Sequence, residues 1–358
     1  MKILDFYIIR KFLLTFVTAI SLIIIIVIVV DVSENIQDFL DGKAPLMEII
    51  TGYYLNFIPY FVNLFSPLFT FIAVIYFTSK LSGKSEIVAM FNAGMSLYRM
   101  LLPYLLSAIM IGIMSFYLSN FLIPITSSRL LAFKEKYVSR QVRAKQADNH
   151  MKLAPNTYAY VHYWDNINST GYDFWYEKFD ENGVKYKISA ESIVWDSTSS
   201  SWQLSNYVKR YFNGIDEKVE HGITMDTVFN ISPDDFVWIK SGVDLMSYSE
   251  IREFIEKEKE KGSDRVKHYE VEKHRRIAFP FSTIILTVVG MCVSSRKSRQ
   301  GMGVHLLVGL VISFSFILLM QMSQVFAIFG GVPVVLSIWV PNILYSILCV
   351  GLLLTTPK

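Results

Sequence analysis

The sequence predicts a membrane α-helical protein of six transmembrane helices with an inserted all-β, jelly-roll-like domain. Two observations carry this class. The 358 residues are 52% hydrophobic with a mean hydropathy of +0.37, too apolar for an ordinary soluble protein, yet 18% charged, too polar to lie in a bilayer throughout. The charge is also segregated, because long charge-free runs flank a polar insert of about 150 residues patterned as strands.

A bilayer core takes about 20 apolar residues as helix. Charge-free runs of that size occupy 12–30, 49–79, 100–128 and 277–295. The first is too long for a signal-peptide core, and no small-residue cleavage site follows it. The last run, 300–357, is roughly twice the required length. "FGGVP" at 329–333 divides it into two spans joined by a tight turn. The domains expected are 1–128 for helices one to three with a short helix near 85–94, 129–272 for the β-domain and a connecting helix, and 273–358 for helices four to six.

Short-loop charges set the expected orientation. Lys2, Arg10 and Lys11 precede the first span, Lys80, Lys84 and Arg99 lie between the second and third, and Arg296, Lys297 and Arg299 lie between the fourth and fifth. The opposite loop carries Asp31, Glu34, Asp38, Asp41 and Glu48 against Lys43 alone. Positive-inside then places both termini in the cytoplasm and the insert outside. The edges of the insert are basic as well, with Arg129, Lys134, Lys136, Arg140, Arg143 and Lys145 on one side and Lys273, Arg275 and Arg276 on the other.

Within the insert, "TYAYVHYW" (157–164), "YDFWYEKF" (172–179), "VKYKISAESIVW" (184–195), "WQLSNYVKRYF" (202–212) and "VEHGITMDTVF" (219–229) read as short strands. Turn residues such as "DENG" at 180–183 separate them, which suggests a sandwich or jelly roll of open strand order. A charged helical stretch, 247–276, leads back to the membrane.

The chemistry-bearing motifs are few. Cys292 and Cys349 fall inside spans, the six histidines lack metal-ligand spacing, and HExxH, GxSxG and CxxC are absent. Gly83-Lys84-Ser85 ends like a P-loop, but the glycine required five residues earlier is Thr78 and the lead-in is a span rather than a strand. The segment that follows reads instead as a short amphipathic helix. Ser85 can cap it, Glu86 favours its positive first turn, Ile87, Met90 and Phe91 fall on one apolar face, and Gly94 can end it. In the second span Tyr53, Phe57, Phe61, Phe65 and Phe69 recur every four residues as an aromatic stripe. That stripe faces lipid, a neighbouring helix, or a cavity. In the fifth span Gln321 and Gln324 are expected to stabilise helix packing or to touch substrate, since lipid offers amides no hydrogen bonds.

The order of three helices, β-domain and three helices resembles the LptF/LptG family of lipopolysaccharide-export permeases. "YIIRKFLLTF" (7–16), "SEIVAMFNAGMS" (85–96), "HRRIAFPFSTIILTVVG" (274–290) and "GGVPVVLSIWVPNIL" (330–344) carry the resemblance along nearly the whole chain. It implies an inner-membrane transporter subunit with a periplasmic β-domain, not an enzyme. The implied partners are a second LptF/LptG-type permease, a cytoplasmic LptB-like ATPase dimer holding ATP and Mg, and a bridge of LptC/LptA-like jelly-roll proteins. Lipopolysaccharide is the implied cargo; no nucleic acid and no cofactor of this chain are expected. Ser85, Glu86, Ile87, Met90, Phe91 and Gly94 would then be the ATPase-coupling helix, as against a helix lying on the bilayer. Phe57, Phe61 and Phe65 would line an acyl cavity. Arg129, Lys134, Lys136, Arg275 and Arg276 would guide the anionic headgroup or stand as solvated or phospholipid-facing charges. The family carries lysines at the outer end of the first helix, where this chain has acidic residues and only Lys43. A membrane-anchored scaffold presenting the β-domain is the alternative; it needs no docking helix.

Overall fold

A computed structural model describes residues 3–138, 147–165, 168–180, 183–197, 199–214, 216–233, 243–261, 266–295 and 302–355. The loop cations Arg296, Lys297 and Arg299, the insert-edge residues Arg140, Arg143 and Lys145, and the centre of the "DENG" turn lie outside them. The chain divides into two compact units. One comprises Met1–Gln37, Leu46–Arg129 and Glu270–Lys358, and the other Asp38–Pro45 and Leu130–Tyr269.

Among the described residues, six helices are long and apolar enough to cross a membrane. They are α1 (Ile3–Asp41), α2 (Leu46–Gly83), α4 (Leu97–Lys134, helical on to Tyr137), α6 (Val266–Ser294), α7 (Met302–Phe329) and α8 (Val334–Thr355), with a short α3 (Glu86–Asn92) between the second and third. The 39 residues of α1 exceed what the bilayer core of about 30 Å needs. "FGGVP" does separate α7 from α8, with Gly331 at φ 69°.

The first unit is built on a seam. Ile8, Phe12, Phe16, Ile20 and Ile24 repeat every four residues on α1 and are buried, in one cluster with Val74 and Phe77 of α2, Leu97, Met100 and Tyr104 of α4 and Met291 of α6. The other faces of α1 stay exposed, including Leu14, Val17, Leu22, Ile25 and Val29. Lipid tails are as apolar as these side chains, so close fit rather than water exclusion joins the helices. Gly290 of α6 shows the requirement, since a Cβ there would sit 3.1 Å from the Phe71 ring and from Val74 of α2.

Three asparagines inside the spans find their partners within the bundle, since hydrocarbon offers none. A π-helical stretch, Ile49–Tyr54, frees carbonyls in α2, and Asn56 Nδ2 donates to Thr51 O at 3.0 Å and Gly52 O at 2.8 Å. Asn63 joins α2 to α4, donating to Ser119 Oγ at 2.8 Å and accepting from Ser115 Oγ at 2.6 Å. Asn342 joins α8 to α6, accepting from Ser282 Oγ at 2.8 Å and donating to Ala278 O at 2.9 Å.

The second unit contains β1 (Ala147–Ala154), β2 (Thr157–Asp165), β3 (Thr170–Asp180), β4 (Gly183–Asp196), β5 (Ser201–Asn213) and β6 (Asp216–Thr227). Among the described residues they form one six-stranded antiparallel sheet in chain order, a meander. Alternation turns Val161, Phe174, Ile188, Ile193, Trp202 and Leu204 to a buried face. Asp173, at φ 52°, marks an irregularity in β3 after which Phe174 faces the core. Trp164 and Trp202 meet edge to face at 5.8 Å, and Trp202 Nε1 donates to Ile231 O at 3.0 Å. The connecting helix α5 (Tyr248–Lys261) begins with a capping box, in which Ser247 N–H donates to Glu250 Oε2 at 2.7 Å and Glu250 N–H to Ser247 Oγ at 3.4 Å. Its apolar face packs Ile251, Phe254 and Ile255 with Met246 and Tyr269.

Trp202→Ala removes a fully buried indole and strands the Ile231 carbonyl, and it should cost the β-unit about 3–5 kcal/mol. Limited proteolysis of the purified full chain should then cleave between 147 and 231 at protease levels that spare wild type, while Trp202→Phe shows a smaller effect.

Candidate functional site

The candidate site begins where α2 ends. Helix runs through Thr78, whose buried hydroxyl is 3.0 Å from Tyr104 Oη, so the residues before Gly83-Lys84-Ser85 form no phosphate-wrapping loop. Lys84 is exposed. Ser85 takes a left-handed conformation, φ 59°, and its side chain makes no capping hydrogen bond to α3. The expected serine cap is therefore corrected: Ser85 turns the chain between α2 and α3. Glu86 does occupy the first turn of α3.

Gly94 closes the helix as the sequence predicts. Its φ of 82° lets Gly94 N–H reach Phe91 O at 2.9 Å and Met95 N–H reach Met90 O at 3.1 Å, a Schellman motif. The apolar face of α3 points inward. Ile87 and Met90 are buried in the α1 seam, and Phe91 packs on its edge. Of the apolar face read from the sequence, Ile87 and Met90 are thus covered within this chain, and Phe91 is the member that stays partly open. Lipid, which would compete for these side chains, is replaced here by neighbouring helix. The outward surface of α3 comprises Val88, Ala89, Asn92 and the open part of Phe91, with Glu86 beside it.

The sequence reading missed two ties that flank α3. Tyr7 Oη donates to Glu86 Oε2 at 3.2 Å. Arg99 Nη2 donates to Asp5 Oδ2 at 2.7 Å, and Asp5 is only 2% exposed. The one available signal was Asp5 itself, an acid amid the basic residues Lys2, Arg10 and Lys11.

The aromatic stripe of α2 is continuous. Ring centroids are 5.7 Å apart for Tyr53–Phe57, 4.3 Å for Phe57–Phe61, 6.1 Å for Phe61–Phe65 and 6.2 Å for Phe65–Phe69. Phe57 is buried, while Phe61, Phe65 and Phe69 are half-buried against the α1 seam. At the end of the stripe Tyr53 and Tyr54 both donate to the Asp31 carboxylate of α1 at 3.2 Å. On α7, Gln324 is half-buried but Gln321 is exposed, so helix packing within this chain does not engage it fully.

The basic candidates divide between the two units. In the first, Arg129 is exposed, whereas Arg275 Nε and Arg276 Nε donate to Glu272 at 2.7 and 3.0 Å. Arg276 is 3% exposed, which corrects its expected role as a headgroup cation: its charge is spent on Glu272 inside the protein. In the second unit Lys43 is exposed at φ 50°, Lys134 is half-buried, and Lys136 lies 4.7 Å from the Tyr137 ring centroid. Among the described residues, no cluster of three His, Cys, Asp or Glu side chains could hold a metal.

Residues 6–355 match the family model of the lipopolysaccharide export system permease LptF/LptG. The match takes in nearly the whole chain, and the chain belongs to that family. A search of curated proteins returned no match.

The different settings of the arginines lead to different expected losses. Arg276→Ala should destabilise the detergent-purified protein by about 3 kcal/mol by leaving Glu272 short of one buried partner, whereas Arg129→Ala should leave the melting transition unchanged. Equal melting of the two variants would show that the Glu272 pair contributes nothing.

Proposed function

We propose, from membership of the LptF/LptG family as the premise, that this permease is one transmembrane half of an exporter that lifts lipopolysaccharide from the inner membrane. A second LptF/LptG-type permease completes the membrane part. A cytoplasmic LptB-like ATPase dimer, which holds ATP and Mg, drives it, and LptC/LptA-like jelly-roll proteins receive the lipid in the periplasm. Both termini and α3 face the cytoplasm, and the β-unit faces the periplasm.

The observation that supports this reading best is α3: a short helix between two spans, fastened inward by Ile87 and Met90, with a small outward face of Val88, Ala89, Asn92 and Phe91. Such a face can enter a groove on a partner without unfolding anything, and a push on it is delivered to the bundle through the buried pair. Glu86 adds a carboxylate at the helix N-terminus, a favourable term of about 0.3–1 kcal/mol.

The cargo's physics explains what the spans must supply. Removing acyl chains from a bilayer costs about 0.8 kcal/mol per CH2 exposed to water, on the order of tens of kcal/mol for a multiply acylated lipid. A route lined by apolar groups avoids most of that cost. In this reading the half-buried Phe61 and Phe65 form one wall of the route, with the buried Phe57 stacked beneath Phe61. The exposed cations Lys43, Arg129 and Lys136, with Lys134 and Arg275, attract the phosphates of the headgroup.

Two measurements test the reading. Cys292 and Cys349 lie within spans, so a cysteine at exposed Ser197 should be the main site labelled by a membrane-impermeant thiol reagent in intact spheroplasts. Labelling only after lysis would place the β-unit in the cytoplasm. For docking, Val88→Asp and Glu86→Lys should each lower ATPase co-purification by about tenfold or more, because a small interface depends on few anchors. Lys84→Ala should change it little. The reverse pattern would reinstate nucleotide binding by this chain.

A further inference from the structure

We propose that Asp5 and Tyr7, on the first turns of α1, are positioning residues that tie α1 to the start of α3 through Glu86 and to the first turn of α4 through Arg99, so that displacement of α3 is delivered to α1. This rests on the reading of α3 as the ATPase-docking helix.

The geometry brackets the docking helix. Tyr7 holds Glu86, the first residue of α3, at 3.2 Å. Asp5 holds Arg99, just past the turn that ends α3, at 2.7 Å. Between the ties, Ile8 and Phe12 of α1 share one buried cluster with Ile87 and Met90 of α3 and Leu97 and Met100 of α4. Three segments distant in sequence are thus fixed to one another by a hydrogen bond, an ion pair and an apolar contact. The chain links at either end of α3 are different in kind. Ser85 at φ 59° and Gly94 at φ 82° are sharp turns, which redirect the backbone rather than extend a stiff helix across the joint.

Asp5 is the more demanding of the two. A carboxylate 2% exposed is unfavourable if left unpaired, and its charge is met by the Arg99 guanidinium. Such a pair resists sliding, because separation gives up a close charge-assisted hydrogen bond at a buried carboxylate. Arg99 Nη1 is buried with no hydrogen-bond partner among the described residues, so Arg99 is held through the Asp5 side. Above this level α1 is lightly held. Its single seam leaves Leu14, Val17, Leu22, Ile25 and Val29 exposed, and along the chain α3 is joined to α1 only through the whole length of α2. Above its foot α1 is held by the one seam and by the contact of Asp31 with Tyr53 and Tyr54, so that a displaced foot tilts the span about that far end. Because Phe61 and Phe65 of α2 pack against the cluster that contains the α1 seam, moving α1 alters the surface that the stripe presents.

The test uses the full chain co-expressed with its partner permease and ATPase, reconstituted in vesicles containing lipopolysaccharide. ATPase co-purification, ATP hydrolysis and lipid release are read for Asp5→Asn, Arg99→Leu and Tyr7→Phe. The expected result is retained co-purification and hydrolysis within about twofold of wild type, with lipid release lowered by about tenfold for Asp5→Asn and Arg99→Leu and less for Tyr7→Phe. The double variant Asp5→Asn/Arg99→Leu should lose no more than either single change, since both break one tie. If a change at Asp5 prevents insertion, Tyr7→Phe, which removes only a hydroxyl from an exposed site, decides alone. Release at the wild-type level in the variants that insert would overturn the proposal. So would joint loss of co-purification and release, which would mean that these residues only shape the docking face. Failure of the wild-type chain to retain the ATPase would refute the docking reading instead.

Discussion

The apolar seam of Ile8, Phe12, Phe16, Ile20 and Ile24 is the constraint on which the membrane unit depends. In a bilayer no water need be expelled between helices, so a span stays in place only by fit and by the hydrogen bonds it makes. The seam gathers α2, α3, α4 and α6 around one face of α1 and leaves the rest of that helix to its surroundings. One stripe defines where α1 sits, and Leu14, Val17, Leu22, Ile25 and Val29 on its other faces are left exposed.

The polar groups of the spans obey a different rule. Asn56, Asn63 and Asn342 each meet carbonyls or hydroxyls of their own or the next helix, which closes those joints. The charged contacts lie toward helix ends instead. Asp31 is held by Tyr53 and Tyr54 at one end of α1, and Asp5 by Arg99 at the other. Both ends of this long helix are therefore fastened to neighbours by carboxylates, while the middle is fastened by shape.

The spans were legible because charge is excluded from hydrocarbon, and "FGGVP" because a glycine turn is needed where two spans meet. Five strands were legible from aromatic and β-branched alternation. β1 was not, since "ADNHMKLA" carries polar residues on a face that β2 completes through pairs such as His150 with Tyr160. The order of the strands is a matter of pairing, which composition does not encode. The extent of α3 was legible from Glu86 to Gly94, but the direction of its apolar face was not, because periodicity identifies a face without naming what covers it. Arg276 and Asp5 illustrate the same gap. A charge in sequence is an open ligand or a consumed one according to a partner three, four or ninety-four residues away.

The central claim is that α3 and the foot of α1 form one body that moves together when nucleotide drives the ATPase. Spin labels at exposed Ala93 and Arg10 report that body, and labels at Ala93 and Leu354 report its place against α8. Pulsed electron–electron resonance on the assembled complex should give one narrow Ala93–Arg10 distance in the nucleotide-free, ATP-trapped and post-hydrolysis states, while the Ala93–Leu354 distance shifts among them. An Ala93–Arg10 distance that changes from state to state would contradict the account.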